Sequence, residues 1–448
     1  MEKSIHILVE PPFPRIPNRR FVVVAWLITV ITFVIYGTIR TGADWKFFGS
    51  RGSDVLISHC RSVVPISVSE FHQRQQTLAE TLYDLNASAY IVEPSASSLY
   101  YANISSSSWH LSERPLLFII SPRLSEDGTI RAESSILTPV FEATRAKQLP
   151  VAATNVSYPE WPEDVSPYQV AVRTLSAGSK IFVDGSVRHF IVDGLQSATS
   201  RDQVLIAPVE IRQLRERKSA AELEIMKCAN EVTLLAIRAV RDKLRVGIRE
   251  SEARSLMDNT LATAGLKDTF SLVLFGENAA LPHGSGTDRE LGEGDFALID
   301  CGGSLHGYQS DVTRTFLLRN SAPSTDNLAL WYIVRAAQSR ALRAAHAGGL
   351  TGDVDEAARE VIDAAGYAKH FTHRLGHGIG LETHESPYLR GASNDIIQVG
   401  HTFSDEPGIY IEGQVGIRLE DCFYINENGK PVYLTERVGG QAVSPWAP

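Results

Sequence analysis

Two aspartates flank a glycine-rich turn in "FALIDCGGSLHGYQSDVTRTF", Phe296 to Phe316. Asp300 ends an apolar strand and Asp311 starts the next. A hairpin centred near Leu305–His306 would set the two residues opposite each other, with both carboxylates on one sheet face. Two anions held in that way repel unless a cation lies between them. The pattern therefore demands paired strands and, if the pair is buried, a positive charge. Taken alone it fits a solvated hairpin equally well.

Two further stretches add donors. In "TFSDEPGIYIEGQVGIRLEDCFYI", Glu406 precedes a Pro–Gly bend and Glu420 sits on the return strand after the turn "EGQVG". Period-two alternation puts Arg418, Glu420 and Cys422 on one face, with Leu419 and Asp421 on the other. "HRLGHGIGLETHESP", from His373, packs three histidines and three glycines into fifteen residues. Glycine fills no volume and each imidazole needs a hydrogen-bond partner, so this is poor core material. Together, four carboxylates and His377 form a mostly oxygen donor set suited to two divalent cations such as Mn²⁺, Co²⁺ or Zn²⁺. Four charges of −1 balance two of +2, and a hydroxide between the metals becomes the expected nucleophile. The glycines around His377 are expected to let the backbone turn tightly about the metals.

The motifs "HGSGTDRELGEGDFALIDCGG", "SDVTRTF", "HRLGHGIGLETHESP", "EPGIY" and "GIRLED" resemble, in order, those of the M24 metallopeptidases: aminopeptidase P, prolidase, creatinase and methionine aminopeptidase. The wording "HGIGLETHESPY" looks most like dipeptidase and Xaa-Pro peptidase members, including fungal ones. The resemblance implies an α+β fold: a pita-bread catalytic domain at 208–448 after a creatinase-type α/β domain at 63–207. It implies that Asp300 binds one metal, His377 and Glu406 the other, and that Asp311 and Glu420 bridge both. Mn²⁺ is the expected metal. By the same likeness Glu406 shuttles the proton to the leaving amine, and His384 stabilises the oxyanion. His373 and His283 line the substrate pocket, and Arg418 pairs with a ligand carboxylate. The implied substrate is a short peptide with proline second.

The chain has 448 residues, 44% of them hydrophobic, and a net charge of −9, which argues against nucleic-acid binding. "FVVVAWLITVITFVIYGTI", Phe21–Ile39, runs without a charge and is long enough to cross a bilayer as a helix. It reads as a single transmembrane signal anchor between a cytosolic tail (1–20) and a stalk (40–62). The sequons at Asn86, Asn103 and Asn155 favour a body in the lumen or outside the cell. Helical spacing and strand-like runs between them give the first domain a strand–helix rhythm. A long helix is expected to open the second domain near Val209. Four cysteines are too few for a disulfide framework, and whether Cys60 pairs with Cys228 is not legible.

Three other readings compete with a general Xaa-Pro exopeptidase. The same chemistry could serve one secretory peptide or natural-product precursor, or hydrolyse a small non-peptide as in creatinase. A catalytically silent binding protein would be expected to have damaged ligand positions. All five positions hold the required residue types. An oligomer is compatible with all of these.

Overall fold

The computed structural model describes residues 51–448 except 154, 174, 176 and 177. The span expected at Phe21–Ile39, the tail before it and residues 40–50 of the stalk lie outside the described residues. No helix among the described residues is long and apolar enough to cross a membrane. The described part of the expected stalk opens with helix α1 (Arg51–His59), whose Leu56 is buried among apolar residues of the second half.

Ser67 caps α2 (Val68–Asp84) by accepting from the Glu70 amide. The apolar face of α2 lies over a six-stranded sheet in the order β4–β3–β2–β1–β5–β6. In chain order these elements are β1 (Ala87–Val92), α3 (Ala96–Ala102), β2 (Leu117–Leu124), β3 (Ile130–Pro139), α4 (Ala143–Ala146), β4 (Glu160–Trp161), α5 (Pro167–Val172), β5 (Lys180–Val183), α6 (His189–Ala198) and β6 (Val204–Ile206). β1 is buried almost throughout, as a central strand covered on both faces should be. Asn86, Asn103 and Asn155 all sit at left-handed backbone positions, with φ of 53°, 60° and 54°. Asn86 and Asn155 are exposed. Asn103 is half-buried and its Nδ2 donates to the Pro150 carbonyl.

The single long helix expected from Val209 is two. α7 (Val209–Glu216) stops, and α8 (Ala220–Arg241) restarts after Arg217–Ser219. Ser219 and Glu222 form a reciprocal capping box that satisfies orphan amides at the new start. Cys60 and Cys228 form a disulfide that ties the residue after α1 to α8, and His59 pairs with Glu231 one turn further along.

After α9 (Glu250–Thr263) come β7 (Lys267–Phe275), β8 (Ala297–Leu305) and β9 (Tyr308–Phe316), an antiparallel sheet against which α8 packs. α10 (Thr325–Ala344) and α11 (Thr351–Ala364) pack on each other before a second antiparallel sheet of order β11–β10–β12–β15–β16. Its strands are β10 (Gly376–Gly378), β11 (Glu385–Leu389), β12 (Thr402–Asp405), β15 (Asp421–Ile425) and β16 (Pro431–Tyr433). Between β12 and β15 the chain forms the hairpin β13 (Gly408–Ile411) and β14 (Val415–Arg418). Arg314 on β9 joins the sheets, donating from Nη1 to the Glu420 carbonyl and from Nη2 to Asp421 Oδ1. Both partners of the Arg314–Asp421 ion pair are fully buried.

Candidate metal centre

The β8–β9 hairpin turns at His306–Gly307, not Leu305–His306, because Leu305 pairs with Tyr308 and both turn residues adopt positive φ, 51° and 89°. Asp300 therefore faces Thr313, and Asp311 faces Gly302. The two aspartates are diagonal neighbours on one face rather than directly opposed, which still lets their carboxylates converge.

Glu420 is not within a strand, but in the crossing between β14 and β15. Its amide donates to the Thr313 carbonyl and its Oε2 accepts from Thr313 Oγ1 at 2.6 Å. Glu406 follows β12, and its Oε1 lies 3.3 Å from His377 Nε2. His377 Nδ1 lies 3.0 Å from the Gly378 carbonyl, which makes Nδ1 the protonated nitrogen and leaves the Nε2 lone pair facing the carboxylates. The flanking glycines do not turn the chain. A Cβ on Gly376 would lie 2.1 Å from the Ser404 carbonyl, and one on Gly378 2.5 Å from the Glu385 carbonyl. They let β11 and β12 close on β10 from both sides.

Donor atoms of Asp300, Asp311 and Glu420 lie within 4.8 Å of one another, as do those of His377, Glu406 and Glu420. A third such group joins Asp311 to His377 and His384. Glu420 thus belongs to both triads, and Asp311 reaches across from the first to His377. Among the described residues, the only guanidinium or ammonium within ion-pair distance of these four carboxylates is Arg418, 2.6 Å from Asp300 Oδ2. Asp300 Oδ1 is buried and has no hydrogen-bond partner among the described residues. Burial raises the Asp311 and Glu420 carboxyls well above their ordinary range, and neighbouring carboxylates push the same way. Glu406 is pushed up to about 7, chiefly by burial. So many buried and half-buried carboxyls with a single cationic partner, and an orphaned oxygen among them, fit divalent cations.

Burial also holds His377 down to about 3 and His373 to about 4, so both are neutral at ordinary pH. His384 is exposed, its ring set edge-on to His377 with centroids 4.2 Å apart. His283 is exposed too, and lies near enough to His373 and His384 to disfavour a proton on either. Arg418 reaches toward its loop through the Pro282 carbonyl.

Two contributors escaped the sequence reading. Tyr410 OH lies 2.8 Å from His373 Nε2 and accepts from Arg418 Nη1, linking the pocket histidine to the Asp300 partner. Asn230 on α8 accepts from the Asp311 amide. Only the position of Tyr410 in "EPGIY" could have drawn notice; Asn230 carries no local signal. Cys301 is buried in the apolar layer behind the sheet, while Cys422 donates to the Asp311 carbonyl. A cleft of about 1170 Å³ between α2 and the start of α8 has none of these donors in its walls.

The chain has counterparts among known proteins. The chain is 40% identical over 393 residues to an uncharacterized peptidase of Schizosaccharomyces pombe, covering 86% of this chain and 85% of that one. It is 32% identical over 311 residues to the Xaa-Pro dipeptidase of Pyrococcus furiosus, covering 68% and 86%. The crystal structure of dipeptidase PepE from Mycobacterium ulcerans superposes with a TM-score of 0.74 at 28% identity, over 83% of this chain and 97% of that one. The sequence model of metallopeptidase family M24 matches residues 224–427, a stretch that holds all six residues of the three donor groups above. By that match and by the breadth of the yeast likeness, the chain belongs to metallopeptidase family M24.

Proposed function

We propose that this M24 peptidase removes the residue before proline from Xaa-Pro peptides or splits Xaa-Pro dipeptides, using two divalent cations, with Mn²⁺ the first choice. The observation that carries the reading is the pair of donor triads sharing Glu420, four buried and half-buried carboxyls with Arg418 as their one cationic partner among the described residues. The Xaa-Pro dipeptidase among its relatives supports the substrate class. Asp300 would hold one cation, His377 and Glu406 the other, with Asp311 and Glu420 shared. Bound there, the cations would supply Lewis acidity at the scissile carbonyl and acidify the attacking water.

The protein's own groups do the rest. Glu406, whose Oε1 lies 3.3 Å from His377 Nε2 at the centre of the donor cluster, takes the water's proton and returns it to the leaving amine. His384, beside the donors yet open to solvent, donates to the oxyanion. His373, fixed by Tyr410, and His283 form walls that orient a short substrate. Arg418 holds Asp300 in place.

The test strips the full-length protein of metal, restores Mn²⁺, Co²⁺ or Zn²⁺, and offers Xaa-Pro dipeptides, longer Xaa-Pro peptides and proline-free controls. Mass spectrometry reads the products. Metal-dependent release of the first residue only ahead of proline is expected. Silence with two metals bound would replace the general substrate by a dedicated precursor, and silence with none bound would refute the mechanism.

We further propose that residues 21–39 anchor the protein with its N-terminal domain (63–207) and catalytic domain (208–448) in the lumen or outside the cell. The Cys60–Cys228 disulfide supports an oxidising compartment, and the exposed Asn86 and Asn155 suit glycosylation better than the tethered Asn103. Endoglycosidase treatment should shift the mass of the native protein; an unshifted band in a glycosylating host would count against that orientation.

A further inference from the structure

His384 makes no side-chain hydrogen bond among the described residues; its ring meets the edge of His377. Its place beside the donors therefore depends on that ring contact and on its backbone. That backbone is gripped from outside the donor cluster. Glu385, the next residue, is buried and receives Lys218 Nζ at 2.5 Å, with the two side chains 3% and 2% exposed. Lys218 Nζ also donates to the Glu216 carbonyl, so the segment between α7 and α8 holds it in turn. The other Glu385 oxygen accepts from the Glu382 amide, folding the loop onto itself, and Arg215 lies 3.7 Å from it while pairing with Glu382. Gly380 leaves room for the grip: a Cβ there would come within 2.7 Å of both Glu385 Oε1 and Lys218 Cε.

The grip continues into the N-terminal sheet. Arg215 Nη1 donates to Ser97 Oγ on α3, and Ser97 donates to Asp184 at the end of β5. Asp184 also accepts from Tyr90 OH on β1. A buried ion pair costs desolvation and is weak support for stability in itself, so its use here points to orientation.

We infer that Glu385 is a positioning residue for His384, locked by Lys218 and Arg215, and that through Arg215, Ser97 and Asp184 the N-terminal sheet sets the pose of the oxyanion donor. The inference rests on the role given to His384 above. It explains what the first sheet contributes to chemistry housed wholly in the second half of the chain.

The test measures kcat, KM and bound metal for Glu385→Gln, Lys218→Arg and Ser97→Ala, each with and without His384→Ala. Misplacing a donor costs up to about 10²-fold. Glu385→Gln should therefore lower kcat between roughly tenfold and that limit, with KM and a two-metal content unchanged. Lys218→Arg, which keeps the charge, should retain most activity. Ser97→Ala, a small change remote from the donors, should give a smaller kcat loss and keeps the test open if the Glu385 variant fails to fold. In the His384→Ala background Glu385→Gln and Ser97→Ala should cost nothing further. Equal losses in both backgrounds would reduce Glu385 to a structural residue and overturn the inference alone. An unchanged kcat for His384→Ala by itself would overturn the role of His384 and this inference with it.

Discussion

Replacing Glu406 by glutamine in the metal-free protein should stabilise it at alkaline pH and do little at acid pH. The Glu406 carboxyl is pushed up to about 7 from an ordinary 4.5, by burial above all, with Arg418 drawing it down and Asp300 driving it up. Its side chain is only 16% exposed, so solvent screens little of this. The folded state binds that proton more tightly than the unfolded chain does. Between about pH 4.5 and 7 the folded protein therefore holds more protons, and its stability falls as pH rises. The loss is absent below the unfolded value and complete above the folded one, where it reaches on the order of 3 kcal/mol at 1.36 kcal/mol per unit. The amide of the Glu406→Gln variant carries no charge at any pH and escapes it. Comparing variant with wild type at each pH cancels the depressed His373, His377 and His401, which titrate in both. In urea melts after chelation, the advantage of the variant should grow by about 2–3 kcal/mol between pH 5 and 8. In thermal melts that is roughly 3 °C for a chain of this size. Saturating Mn²⁺ should reverse the order, since the wild type keeps the full donor set. A difference that stays constant from pH 5 to 8 would refute the claim that an uncompensated charge sits on Glu406.

Asp311→Ala should lower bound metal to one ion or fewer per chain by elemental analysis; two retained ions would end its bridging role. His384→Ala should depress kcat by about 10²-fold or more, while an effect confined to KM would make it a binding residue. Reducing Cys60–Cys228 opens a loop of 168 residues and should cost about 5 kcal/mol on the chain-entropy account, seen as a lower melting temperature in dithiothreitol. An unchanged melt would mean that α1 docks without help from the bond.

The five side chains that cluster were legible together rather than singly: each carboxylate alone suits a solvated hairpin, but four of them with an imidazole between glycines have few other uses. What strand periodicity could not fix was the hairpin register. The two-residue turn at His306–Gly307 moved the pairing and left Asp300 and Asp311 diagonal. The break before α8 had a local signal, the capping pair Ser219 and Glu222, hidden inside a charged run that also suits an unbroken helix. Tyr410 against His373, Asn230 against Asp311 and Lys218 against Glu385 leave no such trace. Each joins residues 37 to 167 positions apart, a distance at which only the folded chain brings partners together. The glycines about His377 were noticed for the right reason, small size, but serve neighbouring strands rather than a bend.

Because Cys60 and Cys228 bracket the whole six-stranded sheet, that part of the chain is a closed covalent ring. A protease that cuts any surface loop inside the ring leaves both fragments attached to the catalytic half. Such a nicked molecule would run as an intact chain on a non-reducing gel and fall apart only when reduced. In a compartment rich in other proteases, the sheet that steadies His384 could be cut and still not be lost.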